Sequence, residues 1–205
     1  MEKIDYKKVF KHLYNPPQKE PVFVEVPPMN YLMVDGQGKP DSIDAQHAIQ
    51  ALYSVAYTLK FMIKKDREVD YGVLPLEGLW WAEDMESFRT GDKNAWKWTY
   101  MIMQPDFISA SMAEKAVGEV KSKKKPAAID KIKFESLAEG KSAQIMHIGS
   151  YADEGSNIEK LHAFIRNAGL TFNGHKQKHH EIYLSDPGRT AVEKLKTIVR
   201  QPATQ

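Results

Sequence analysis

The 205-residue chain carries 29 basic and 27 acidic side chains for a formal charge of +2, and its 42% hydrophobic and 27% charged content is that of a folded globular protein. A near-neutral balance leaves no electrostatic footprint for direct nucleic-acid binding, and the absence of cysteine excludes disulfides and thiolate chemistry. No apolar run approaches the ~20 residues that span a bilayer, and Met1 to Phe10 lacks a signal peptide's apolar core, so the expected setting is the cytoplasm without a membrane partner.

Asp5 to Leu13 reads as a short helix ended by Asn15-Pro16-Pro17. Val22 to Asp35 reads as extended, with Pro27-Pro28 marking a bulge or an edge. After Gly36-Gln37-Gly38, Asp44 is placed to cap a helix with Ala48, Leu52, Val55, Leu59 and Met62 at helical spacing. Val73 to Trp81 is expected as a strand, Glu83 to Asp92 as an acidic loop, and Trp96 to Gln104 as an aromatic strand stopped by Pro105. An amphipathic helix between Ser109 and Lys125, with Ser111 and Glu114 at capping-box spacing, closes in a lysine-rich run that reads as a solvated helix end. Strands over Ile132 to Leu137 and Ala143 to Ser150 come next. A helix opened by Ser156 and Glu159 and stopped by Gly169 follows, then strands over His179 to Leu184 and Leu195 to Gln201.

The order strand, helix, strand, strand thus occurs twice. Met101-Ile102-Met103-Gln104-Pro105 matches Ile198-Val199-Arg200-Gln201-Pro202. Leu76-Glu77-Gly78-Leu79-Trp80 matches His180-Glu181-Ile182-Tyr183-Leu184, each with a carboxylate on a strand. The expected fold class is α+β, a duplicated β-α-β-β unit in one domain over 1–205. Repeat 1 covers 22–105, a connector helix and Lys-rich linker 106–131, and repeat 2 132–203.

Pro75-Leu76-Glu77-Gly78-Leu79-Trp80-Trp81, His147-Ile148-Gly149-Ser150-Tyr151, Glu181-Ile182-Tyr183-Leu184-Ser185-Asp186-Pro187 and Glu193 to Arg200 together resemble the GyrI-like proteins, from about Val22 to Pro202. That family includes stand-alone small-molecule binders, the ligand-sensing halves of multidrug-responsive regulators, and hydrolases of cyclopropane-bearing DNA-alkylating compounds. The resemblance implies SHS2-like repeats, with two antiparallel sheets meeting about a pseudo-twofold axis and an aromatic cleft with a central glutamate between them. Met1 to Pro21 is too short for a helix-turn-helix module, which argues against a regulator acting alone.

Strand alternation puts Glu181 and Tyr183 on one face, opposite His180, Ile182 and Leu184. In the first half Glu77, Leu79 and Trp81 share a face, opposite Leu76, Gly78 and Trp80. Read from residues alone, Glu77 and Glu181 are solvated strand carboxylates more readily than pocket groups; the resemblance moves both towards the cleft, Glu181 most. The expected ligand contacts are Glu181, Tyr183, Glu77, Trp80, Trp81, Trp98, Tyr100 and Tyr151, suited to a flat aromatic or cationic molecule. As a hydrolase, Glu181 would be the base, Glu77 the second carboxylate and Tyr183 or Tyr151 the donor. Binder and enzyme both stay open, and a protein partner of gyrase-inhibitor type is the third reading. No cofactor is expected, and no metal: His175, His179, His180 and Glu181 match no zinc spacing, and adjacent His179 and His180 point to opposite faces.

Overall fold

The computed structural model describes residues 2–84 and 86–205. In chain order the elements are β1 (Glu2–Ile4), α1 (Tyr6–Val9), α2 (Lys11–Tyr14), β2 (Val22–Val26), β3 (Met29–Gln37), α3 (Ile43–Arg67), β4 (Val69–Tyr71) and β5 (Leu76–Ala82). Then come α4 (Glu86–Thr90), β6 (Trp96–Gln104), α5 (Ala110–Lys123), β7 (Lys133–Leu137), β8 (Gly140–Ile148), α6 (Gly155–Asn167), β9 (His179–Tyr183) and β10 (Lys196–Pro202). The architecture is α+β. Eight strands form one antiparallel sheet in the order β2-β8-β10-β9-β5-β6-β3-β7, and β1 pairs parallel with β4 apart from it.

Where the resemblance implied two sheets, the main sheet is continuous. β5 and β9 hydrogen-bond directly, from Leu76 opposite Tyr183 to Trp80 opposite His179, so there is no break at the centre. The extended stretch before Gly36 is two strands, because Pro27-Pro28 ends one run of pairing and starts another: β2 joins β8, while β3 lies between β6 and β7. β7, which precedes β8 in the chain, pairs with β3 at the opposite edge. Each outer strand therefore lies on the sheet half that its own successor does not occupy.

Local chemistry moves several helix starts. Ser42, not Asp44, caps α3, its hydroxyl accepting from the Ala45 N–H at 3.2 Å, and Asp44 sits in the first turn. Ser109 rather than Ser111 caps α5, and α6 begins after Glu154 with no side-chain cap. The acidic stretch includes the short α4.

α3 packs on β3 and β6, and α6 on β8 and β10. The larger core joins Leu52, Val55 and Leu59 to Leu32, Trp98 and Ile102; a smaller one joins Leu161 and Ile165 to Ala143, Ile145 and Val199. Gly36 pairs with Trp98, and a Cβ at Gly36 would lie 2.1 Å from Trp98 Cη2, so the indole fills the space the glycine leaves. Among the described residues no helix is long and apolar enough to cross a membrane.

Candidate active-site cleft

Between α3 and α6 a cavity of about 1230 Å³ opens over β5 and β9. Residues directly opposite on neighbouring antiparallel strands share a face, so the pairs Leu76–Tyr183, Gly78–Glu181 and Trp80–His179 all point the same way. Tyr53 and Tyr57 of α3 line one wall, and Glu154, Ile158 and His162 line the other. These three are spaced by four, which puts them on one stripe of α6 and its cap.

Glu181 stands at the centre of two hydrogen-bond chains. On one side the Trp80 Nε1–H donates to the Tyr183 hydroxyl at 3.1 Å, which donates to Glu181 Oε2 at 2.7 Å. Gly78 makes room for this chain: a Cβ there would lie 3.0 Å from both Trp80 Nε1 and the Tyr183 hydroxyl. On the other side His179 Nε2 meets Glu181 Oε1 at 3.2 Å, and His179 Nδ1 meets the Gln201 amide nitrogen at 3.3 Å. The amide nitrogen donates to Nδ1, so these partners direct the Nε2–H of His179 to Glu181.

Glu154 lies against Glu181 and Thr197 and is 3% exposed. Burial and then the Glu181 charge push the Glu154 carboxyl well above the usual range. Burial pushes Glu181 the same way, but His179 and Tyr183 outweigh it and hold Glu181 low. A carboxylic acid and a carboxylate thus sit together at neutral pH, the division of labour that acid–base chemistry needs. Burial and the Glu181 charge raise the Tyr183 phenol, so it stays protonated and pinned to Glu181. Tyr151, 42% exposed, sets its ring edge-on to Tyr183 with centroids 5.8 Å apart.

Of the residues expected in the cleft, Glu181, Tyr183, Trp80, Tyr100 and Tyr151 line the cavity; Glu77, Trp81 and Trp98 do not. Trp98 is buried beneath, its ring 4.8 Å from Tyr100. Trp81 shares the face of Glu77, with the Lys178 ammonium 4.3 Å from its ring centroid. Glu77 is corrected most: it pairs with Ile182, not Glu181, so the pleat turns it to the other side of the sheet.

There Glu77 belongs to a buried ionic network. It accepts from the Tyr14 hydroxyl at 3.0 Å and contacts His180 Nε2 at 2.9 Å, while His180 Nδ1 lies 3.0 Å from Glu139. Arg200 bonds Glu139 at 3.1 Å, Gln144 at 3.0 Å and the Leu13 carbonyl at 3.0 Å. Burial alone would neutralise His180 and Glu139. Burial would lower His180, but Glu139 and Glu77 raise it to about 9; burial would raise Glu139, but His180 and Arg200 lower it to about 2. Two acids and two bases balance, and the network clamps α2 to the sheet's second face. His179 and His180 therefore serve opposite faces, and among the described residues no cluster of His, Cys, Asp or Glu is placed to hold a metal.

Sequence reading missed Glu154, His162 and Gln201. The i, i+4, i+8 spacing of Glu154, Ile158 and His162 was the available signal, hidden because Ser156 looked like the helix start.

The chain has close structural counterparts. A crystal structure of an uncharacterized conserved protein from Listeria innocua matches with a TM-score of 0.91 and 41% identity, covering 98% of this chain and 100% of that one. A hydrolase from Listeria innocua matches at 0.86 and 38% identity, over 98% and 100%. Another hydrolase from that organism matches at 0.88 and 40%, over 99% and 100%. No curated protein sequence matches the chain. The model of the GyrI-like small molecule binding domain matches residues 19–202, nearly the whole chain. On that match, the chain belongs to the family of GyrI-like small molecule binding domains.

Proposed function

We propose that the protein is a hydrolase of flat aromatic small molecules bound in the cleft between α3 and α6. The observation that carries this is the pair Glu154 and Glu181, one neutral and one ionised, in a cavity walled by Trp80, Tyr100, Tyr151 and Tyr183. Two relatives named hydrolases, at 38% and 40% identity, point the same way.

The substrate class we favour is a cyclopropane conjugated to a carbonyl, as in DNA-alkylating natural products. Glu181 takes a proton from water as the water oxygen bonds to the ring methylene. The strained C–C bond breaks, its electron pair flows to the carbonyl oxygen, and Glu154 gives that oxygen a proton. Water is added across the bond, and proton exchange through solvent restores both carboxyls. Tyr183 and His179 act as positioning residues, since their hydrogen bonds hold Glu181 ionised. Cation–π contacts of about 0.5–2 kcal/mol each would favour cationic ligands.

The family's description as small-molecule-binding favours a second reading, sequestration without turnover. Incubating the protein with a large excess of a cyclopropane-bearing alkylator decides between them. Consumption of many equivalents, reduced roughly 10²–10⁴-fold in Glu181→Gln, supports the enzyme. Protection limited to one equivalent, or full turnover by Glu181→Gln, refutes it. We also propose that the halves 22–105 and 132–203 are duplicated SHS2-like repeats joined by 106–131. The strand order supports this, because it reads the same from either edge once β3, β5 and β6 are matched to β8, β9 and β10.

A further inference from the structure

Tyr183, Glu181 and His179 follow one another on a single face of β9, about 6.6 Å apart per step, so the cleft floor continues past the paired carboxylates. At its far end β10 contributes Gln201 and α6 contributes His162, both lining the cavity. Gln201 is 1% exposed, and its Oε1 has no hydrogen-bond partner. Its amide nitrogen is committed to His179 Nδ1, which fixes Oε1 as an acceptor. His162 Nε2 is also buried without a partner. Burial, then His179 and Arg166, lower the imidazole, so the ring is neutral and offers one donor and one acceptor. Phe172 stacks on it at 5.8 Å and 25°.

A buried acceptor is costly when unpaired. Both residues line one cavity from different elements and each carries a buried polar atom without a partner, which marks a place shaped for a partner rather than a packing fault. We propose that Gln201 and His162 form a second subsite that binds a carboxamide or similar N–H-bearing group of the ligand, one strand step beyond Glu181. Gln201 Oε1 accepts one N–H of the ligand amide, His162 Nε2 accepts the other, and Phe172 shields the pair from water. The subsite rests on the reading of the cleft as a ligand site. It implies elongated ligands, with a flat ring over Glu181 and an amide arm along β9. Because Gln201 also bonds His179, an occupied arm is tied through one imidazole to the carboxylate.

The test is a matched pair of fluorescent probes, dansylglycinamide and its N,N-dimethylamide, which differ only in the amide N–H donors. The primary amide should bind wild-type protein about tenfold more tightly, the scale of one buried hydrogen bond. Gln201→Leu and His162→Phe should each bring that ratio towards one. Should Gln201→Leu fail to fold, the wild-type ratio and His162→Phe still decide. Equal affinities in wild type, or a ratio persisting in both variants, would overturn the subsite but leave the cleft standing. Binding of neither probe would remove the cleft reading and the subsite together.

Discussion

Removing Glu139 should show what the buried ionic network contributes. Glu139→Ala leaves His180 and Arg200 in a site where they are 0% and 1% exposed, with Glu77 as the remaining acid. Breaking a buried pair in this way costs about 3–5 kcal/mol. For a chain of this size each kcal/mol is worth about 2–4 °C, so the midpoint should fall by about 6–20 °C. The network also has a pH signature. Glu139 is lowered from 4.5 to about 2 in the folded state, which corresponds to about 3 kcal/mol of stability. Because the folded value is depressed, that stability is present above pH 4.5 and lost as pH falls towards 2. His180 has the opposite sign. Raised from 6.5 to about 9, it contributes fully below 6.5 and fades as pH rises through 9. Urea unfolding of wild type and Glu139→Gln across pH 2 to 10 isolates both. The variant's acid limb should be flatter by about 3 kcal/mol. Parallel acid limbs, or a Glu139→Ala penalty below about 1 kcal/mol, would show that the network carries no net electrostatic stability.

Further outcomes follow from single contacts. Gly36→Ala puts a methyl group 2.1 Å from Trp98, so the indole must move, and thermal unfolding should show a loss of about 1–3 kcal/mol with altered tryptophan emission. Ser42→Ala removes the α3 cap and should cost about 1 kcal/mol by urea titration, whereas Asp44→Ala should cost less, reversing the order expected if Asp44 were the cap. Gly78→Ala crowds the Trp80–Tyr183 hydrogen bond. Aromatic-ligand affinity measured by calorimetry should drop several-fold with the fold retained by circular dichroism, and unchanged affinity would separate that bond from binding.

Much of the fold was legible because helical spacing and strand alternation are local. Trp96 to Gln104 has the bounds the sequence suggested, since aromatic alternation and Pro105 define both ends. Pairing register is not local, and there the reading failed. Matching Glu77 to Glu181 by residue type put both in one cleft, but β5 and β9 set Gly78 opposite Glu181, and one residue of slip reverses a face. Gly78 itself was the clue: with no side chain it leaves the space that Tyr183 and Trp80 occupy. Tyr14, whose hydroxyl satisfies Glu77, lay in a segment with no strand pattern to announce its target. Glu154 stayed hidden because a carboxyl before a helix reads as a solvated cap unless the partner across the cleft is known.

The exchanged outer strands bear on how the chain reaches its native state. β2 must wait for β8, with Val22 opposite Gln144, before its backbone groups find partners, and β3 must wait for β7 to cover its free edge. Closing loops of that span comes before any reward from the contacts, so folding should be slow for the chain's size and concerted across both halves. A ribosome-bound nascent chain holding only the first half would expose β2 and β3 as unpaired edges, the most aggregation-prone moment in its synthesis.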